Sequence, residues 1–179
     1  MTSLEAAEEI VMKIPKQGPV VAIDGPAGTG KSSATKRLAE VLGFVHVDTG
    51  ALYRAIAYLT LREQFPGPDH EDLPIDPQKE AQIAIKIAHE VNLQFKRMPK
   101  KSPSNRIYAN GKDRTDFIRT PRVSMASSRI SSIPEVRAAL LGLQRRLGCQ
   151  GKTILEGRDI GTVVFPDADV KFFLSASVD

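Results

Sequence analysis

The sequence predicts an α/β fold, a parallel sheet flanked by helices with a small α+β lobe inserted into it. Three observations carry this. Short apolar runs alternate with helix-period segments near the amino end. A glycine-rich turn, Gly25-Pro26-Ala27-Gly28-Thr29-Gly30-Lys31-Ser32, joins the first run to the first helix. A stretch too long for a simple crossover separates the second run from the third.

In chain order, Leu4, Ala7, Val11 and Ile14 recur at helical spacing before Pro15, so residues 1–17 predict a short appended extension. Val20-Val21-Ala22-Ile23, bounded by Gly18-Pro19 and Gly25-Pro26, reads as a buried strand. Lys31 to Leu42 keeps Ala34, Leu38 and Val41 on one helical face and ends at Gly43, a left-handed cap. Phe44 to Val47 is the second strand. Asp48-Thr49-Gly50 then offers turn and N-cap chemistry before a helix carrying Leu52, Ile56 and Leu59.

Four prolines between Phe65 and Pro77 exclude a long regular element there. Ile83, Ile87 and Val91 mark a helix leading into an extended Asn92–Phe95. Arg106–Ala109 meets Lys112 through Asn110-Gly111, a tight-hairpin signal that predicts a small antiparallel sheet. Thr120-Pro121 and Ser132-Ile133-Pro134 start two further helices. Thr153–Leu155 and Val170–Leu174 return to the core as strands. The expected division is an extension 1–17, a core of 18–64 and 150–179, and an inserted lobe 65–149.

Composition fits one such domain. The chain has 179 residues, 41% apolar and 26% charged, enough for a packed core. Its 25 Lys and Arg exceed 21 Asp and Glu by 4, a mild basic excess suited to phosphate-bearing small molecules. The single cysteine, Cys149, excludes an internal disulfide and suits a reducing, cytoplasmic setting. No apolar run reaches the ~18 residues of a membrane span, and the amino end lacks a basic signal start, so no membrane partner is expected. Lys96, Arg97, Lys100 and Lys101 cluster without interleaved aromatics, which argues against a nucleic-acid platform. His46, His70 and His89 show no metal-ligand spacing and receive no catalytic role.

The pattern G-x-x-x-x-G-K-[ST] between a strand and a helix is a phosphate cradle. Its glycines turn backbone N–H groups inward, and the helix N-terminus adds positive charge. Lys31 would neutralise β- and γ-phosphates, and Ser32 would supply a hydroxyl to Mg²⁺. Asp24 could orient a metal-bound water or be a solvated turn carboxylate. A cradle alone does not separate a kinase from a GTPase or an ATP-driven machine. Arg54, Arg119, Arg137 and Arg158 stand beside predicted turns or helix starts, and guanidinium groups suit the joining of two polyanions.

Val21 to Ser33, Asp48-Thr49-Gly50-Ala51-Leu52-Tyr53-Arg54, Ile118-Arg119-Thr120 and Glu156-Gly157-Arg158-Asp159-Ile160-Gly161-Thr162-Val163-Val164-Phe165-Pro166 together resemble bacterial-type cytidylate kinases, within the P-loop nucleoside monophosphate kinases. The resemblance spans about residues 20–178. It implies transfer of the ATP γ-phosphoryl group to CMP or dCMP with Mg²⁺, in a protein that is a monomer when complete. It places Gly25, Pro26, Ala27, Gly28, Thr29, Gly30, Lys31, Ser32 and Ser33 around ATP, with Lys31 and Arg158 catalytic and Ser32 on the metal. It places Asp48, Thr49, Arg54, Arg119, Ser128, Arg137, Arg158 and Asp159 around the acceptor. Ser128, Arg137 and Asp159 supply the donors and the acceptor that cytosine's O2, N3 and N4 require. Thr49 is equally readable as an N-cap, Arg119 as an anchor of the insert, and Ser128 as a locally bonded serine.

After Val178-Asp179, members of that family continue into an arginine-bearing lid and a further strand. The sequence therefore also admits a nucleotide-binding fragment with little turnover, or a kinase for UMP or AMP.

Overall fold

The computed structural model describes residues 16–66, 73–96 and 106–176. The expected helix before Pro15 lies outside them, as do His70, Arg97, Lys100 and Lys101. Two compact units divide the described residues, one containing 16–50 and 141–176, the other containing 51–66, 73–96 and 106–140.

In the first unit, the β-branched run at 20–23 forms β1 (Val20–Asp24), every residue of which is buried. Continuous burial is what a central parallel strand requires. Helix α1 (Lys31–Leu42) follows and ends on Gly43 at φ 66°, whose N–H returns to the Ala39 and Glu40 carbonyls. Strand β2 (Val45–Asp48) leads directly into α2 (Thr49–Gln64). The turn expected at Asp48-Thr49-Gly50 is absent, because Asp48 still belongs to the strand and Thr49 already to the helix.

The remaining core strands are β6 (Thr153–Gly157) and β7 (Val170–Phe173). The four run parallel in the order β2-β6-β1-β7. The last two strands in sequence therefore flank the first, and β6 lies between β1 and β2. Val21, Ile23, Ile154 and Ala39 form a core on the α1 face, with Leu38, Phe44 and Leu174 packed against it. On the opposite face, Gly148 lets its helix, α5 (Pro134–Cys149), approach Leu155 and Phe165. Between β6 and β7, Ile160–Val164 forms one π-helical turn, with Phe165 N–H donating to the Ile160 carbonyl at 2.6 Å.

In the second unit, α3 (Pro77–Glu90) begins at the last of the four prolines. Asp76 caps it, accepting from the N–H groups of Gln78 and Lys79 at 2.9 and 3.2 Å, and Pro77 takes the first turn, where no N–H is needed. Strands β3 (Leu93–Lys96), β4 (Arg106–Ala109) and β5 (Lys112–Asp113) form the antiparallel sheet. Its hairpin turns at Asn110 and Gly111, at φ 49° and 76°. A 3₁₀ turn at Phe117–Arg119 precedes α4 (Pro121–Ile130), capped as expected by Thr120, which accepts from Val123 N–H at 3.2 Å. Arg129 of α4 grips the buried Glu80 of α3 through two bonds of 2.8 and 2.7 Å. No helix among the described residues is long and apolar enough to cross a membrane.

Candidate active site

The loop between β1 and α1 has the shape that its glycines permit. Gly25, Gly28 and Gly30 take φ of 146°, 78° and 77°, values that side-chain-bearing residues rarely adopt. No side chain caps α1, and no acidic residue stands in its first turn. Its N-terminal N–H groups and the positive end of the helix dipole are thus left for an anion. Lys31 Nζ folds back onto the Pro26 carbonyl and lies 3.4 Å from Thr29 Oγ1. Burial, aided by the nearby Arg158 guanidinium, holds the Lys31 ammonium below the usual lysine range against the opposing pull of Glu156, Asp24 and Asp48. Gly25 to Ser33, Lys31 and Arg158 are therefore parts of one charged neighbourhood.

Register explains the carboxylates beside it. Asp48 on β2 pairs with Glu156 on β6, and His46 pairs with Ile154, so alternate residues His46, Asp48, Ile154 and Glu156 share a sheet face. Glu156 is only 3% exposed, and its Oε1 lies 3.1 Å from His46 Nε2. Its Oε2 is buried without a hydrogen-bond partner. Burial raises the Glu156 pKa, yet the His46 imidazole, the Ser32 hydroxyl and the Lys31 charge outweigh it and hold the carboxyl below its ordinary value.

Asp24 is not the solvated turn carboxylate that the sequence admitted. It is 7% exposed, and its two oxygens accept from the N–H groups of Ile160 and Gly161, each at 2.8 Å. At the other end of that π turn, Arg145 donates to the Val164 and Val163 carbonyls at 2.6 and 2.8 Å. Two buried charges of opposite sign thus fasten the segment that follows Arg158 and Asp159. Thr49 is not an N-cap. It is the first residue of α2, and its buried hydroxyl donates to the Glu156 carbonyl at 2.7 Å. A Cβ at Gly157 would lie 2.8 Å from that hydroxyl and 2.7 Å from Ile160 Cδ1, so only glycine fits between them.

The first unit thus gathers Gly25 to Ser33, Asp48, Thr49, Arg158 and Asp159. Arg54, Arg119, Ser128 and Arg137 belong to the second. There, Ser131 links two of them: its hydroxyl donates to the Ser128 carbonyl at 3.0 Å, and its carbonyl accepts from Arg137 at 3.4 Å. Arg119 stands beyond the other end of α4, a helix roughly 15 Å long. Arg54 is half-buried on α2.

Among the described residues, no group of three or more His, Cys, Asp or Glu is arranged to hold a metal ion by itself. The buried, unpartnered Glu156 oxygen near Ser32 does fit Mg²⁺, which keeps several waters and takes few protein ligands. Sequence spacing did not single out Glu156 or His46, since only the strand order brings them to one face of the sheet.

A cytidylate kinase family model matches residues 21–179. The chain belongs to the cytidylate kinase family. It is 49% identical over 164 residues to the cytidylate kinase of Geobacter sulfurreducens, covering 92% of this chain and 64% of that protein. It is 45% identical over 158 residues to the cytidylate kinase of Syntrophotalea carbinolica, covering 88% and 61%. A bifunctional pantoate ligase/cytidylate kinase of Prochlorococcus marinus is 41% identical over 162 residues, covering 90% of this chain and 29% of that protein. The chain thus spans about three-fifths of the length of the two cytidylate kinases.

Proposed function

We propose that the chain transfers the γ-phosphoryl group of ATP to CMP or dCMP, giving ADP and CDP or dCDP. The observation that carries this reading is the uncapped phosphate loop with Lys31 set among Arg158, Glu156, Asp24 and Asp48, in a chain of the cytidylate kinase family. The loop Gly25–Ser33 would hold the ATP phosphates through its backbone N–H groups. Ser32 and Glu156 would hold Mg²⁺, directly or through water, and the ion would supply charge neutralisation between β- and γ-oxygens.

A CMP phosphate oxygen is already anionic near neutral pH, so attack on the γ-phosphorus needs no side-chain base. The new P–O bond forms as the bond to the ADP oxygen breaks. What the protein must do is align two polyanions, a task for Lys31 and Arg158, with Arg54 and Arg119 as further phosphate contacts. Asp48 and Thr49 are assigned to the acceptor side. The Thr49 proton is committed to the Glu156 carbonyl, so toward the acceptor this hydroxyl offers a lone pair in its present rotamer. Ser128, Arg137 and Asp159 are assigned to cytosine. Uracil would set a carbonyl against the Asp159 carboxylate where cytosine sets an amino group, which disfavours UMP.

The test is ADP release from ATP·Mg²⁺ and CMP by the 179-residue chain and by Lys31→Ala. Loss of the phosphate contact is expected to lower turnover by on the order of a hundredfold or more. An unchanged rate contradicts the proposal.

A further inference from the structure

Glu156 has one oxygen on a neighbouring strand's side chain and the other without a partner, both below the surface. The imidazole that holds it is itself buried, at 7% side-chain exposure against 4% for Glu156. An aliphatic residue would fill that place on the sheet as well as its neighbours Val47 and Ile154 fill theirs. The ring nitrogen gives the buried Glu156 carboxylate a partner, and a buried carboxylate without donors is costly.

We propose that His46 is a positioning residue for the metal-nucleotide site: from β2 it fastens Glu156 Oε1, so that Oε2 remains available on the Ser32 side of the phosphate loop for a divalent cation carried by the nucleotide. This rests on the reading of that loop as an ATP·Mg²⁺ site. The geometry favours it in three ways. Parallel register places His46 beside Ile154, one pleat before Glu156 on the same face, within reach of the carboxylate but removed from the loop itself. The phosphate loop that carries Ser32 and Lys31 follows β1, which lies on the other side of β6 from the strand that carries His46. The Glu156 main chain is pinned as well, its carbonyl accepting the Thr49 hydroxyl at 2.7 Å, which leaves the side-chain torsions for His46 to restrict. Outer partners of metal-holding side chains commonly act in this way.

The test is equilibrium binding of ADP to the 179-residue chain by titration calorimetry, with and without Mg²⁺. Four proteins are compared with the unaltered chain: His46→Leu, His46→Gln, Glu156→Gln and the double variant His46→Leu/Glu156→Gln. His46→Leu is expected to cut the Mg²⁺-dependent gain in affinity by about tenfold to a hundredfold, with metal-free ADP affinity retained. His46→Gln keeps an N–H donor and should recover most of the gain. In the Glu156→Gln background, His46→Leu should cause no further loss, because the two act through one oxygen. Should His46→Leu not fold, His46→Asn, whose shorter amide falls short of Glu156, takes its place with the same expectation. Equal loss with and without Mg²⁺, an additive double variant, or no recovery in His46→Gln overturns the positioning role. If the unaltered chain shows no Mg²⁺-dependent gain, the ATP·Mg²⁺ reading falls with it; a gain that survives His46→Leu overturns this inference alone.

Discussion

Replacing Asp24 by Asn tests how the segment after Arg158 is held. In the structure both carboxylate oxygens receive buried backbone N–H groups, from Ile160 and Gly161, at 2.8 Å. Asparagine keeps one acceptor and turns an NH₂ toward the other N–H. One charge-assisted bond is lost and one buried donor is left unpaired, which together cost about 3 kcal/mol. With a urea dependence of ~2 kcal/mol per molar, the midpoint should fall by ~1.5 M. The chain has no tryptophan, and its three tyrosines, Tyr53, Tyr58 and Tyr108, all lie in the second unit. Far-UV circular dichroism is therefore the suitable equilibrium probe, with amide hydrogen exchange to localise the change. Faster exchange at Ile160 and Gly161 is expected, together with weaker CMP binding because Arg158 and Asp159 lose their fixed neighbour. A midpoint shift below ~0.3 M, less than 1 kcal/mol on the same slope, with unchanged exchange at those two amides would show that Asp24 does not hold this segment.

Three further outcomes follow from contacts elsewhere. Burial raises the Asp113 pKa, but the Thr115 N–H and hydroxyl and the Arg106 guanidinium outweigh it and bring the pKa from 3.8 to about 2. Its stabilising contribution is therefore complete above about pH 4 and lost as pH falls through about 2; Asp113→Asn should flatten the stability profile in that window, as read by urea unfolding at each pH. Arg129→Ala leaves the buried Glu80 carboxylate without its two donors and should cost about 2–3 kcal/mol, somewhat below a fully buried pair because Arg129 is 43% exposed. Glu80→Gln should cost less, and tyrosine fluorescence during unfolding distinguishes them. Strand β7 is an edge of its sheet among the described residues, with Phe172 and Phe173 exposed by 48% and 71%. Phe173→Lys should reduce concentration-dependent association in light scattering.

What was legible in the sequence was local. The glycine-rich loop, the Gly43 cap, the Asn110-Gly111 hairpin and the Thr120-Pro121 helix start are all determined by neighbours within a few residues, and each stands where spacing placed it. Relations set by sheet order were not legible. Nothing in the spacing of His46, Asp48 and Glu156 announces that β6 inserts between β1 and β2 and brings the three to one face. The π turn at 160–164 escaped for a related reason: it is held at each end by Asp24 and Arg145, which are remote in sequence. Asp24 could be read as a solvated turn carboxylate because its main-chain partners lie 136 and 137 residues away.

One competition experiment decides whether this chain has the proposed activity toward cytosine nucleotides. ATP labelled in the γ-phosphate is given to the 179-residue chain with Mg²⁺ and equal amounts of CMP, dCMP, UMP and AMP, and the labelled products are separated. Label is expected in CDP and dCDP, with UDP and ADP far behind. Label entering UDP or ADP preferentially, or appearing only as inorganic phosphate, would contradict it.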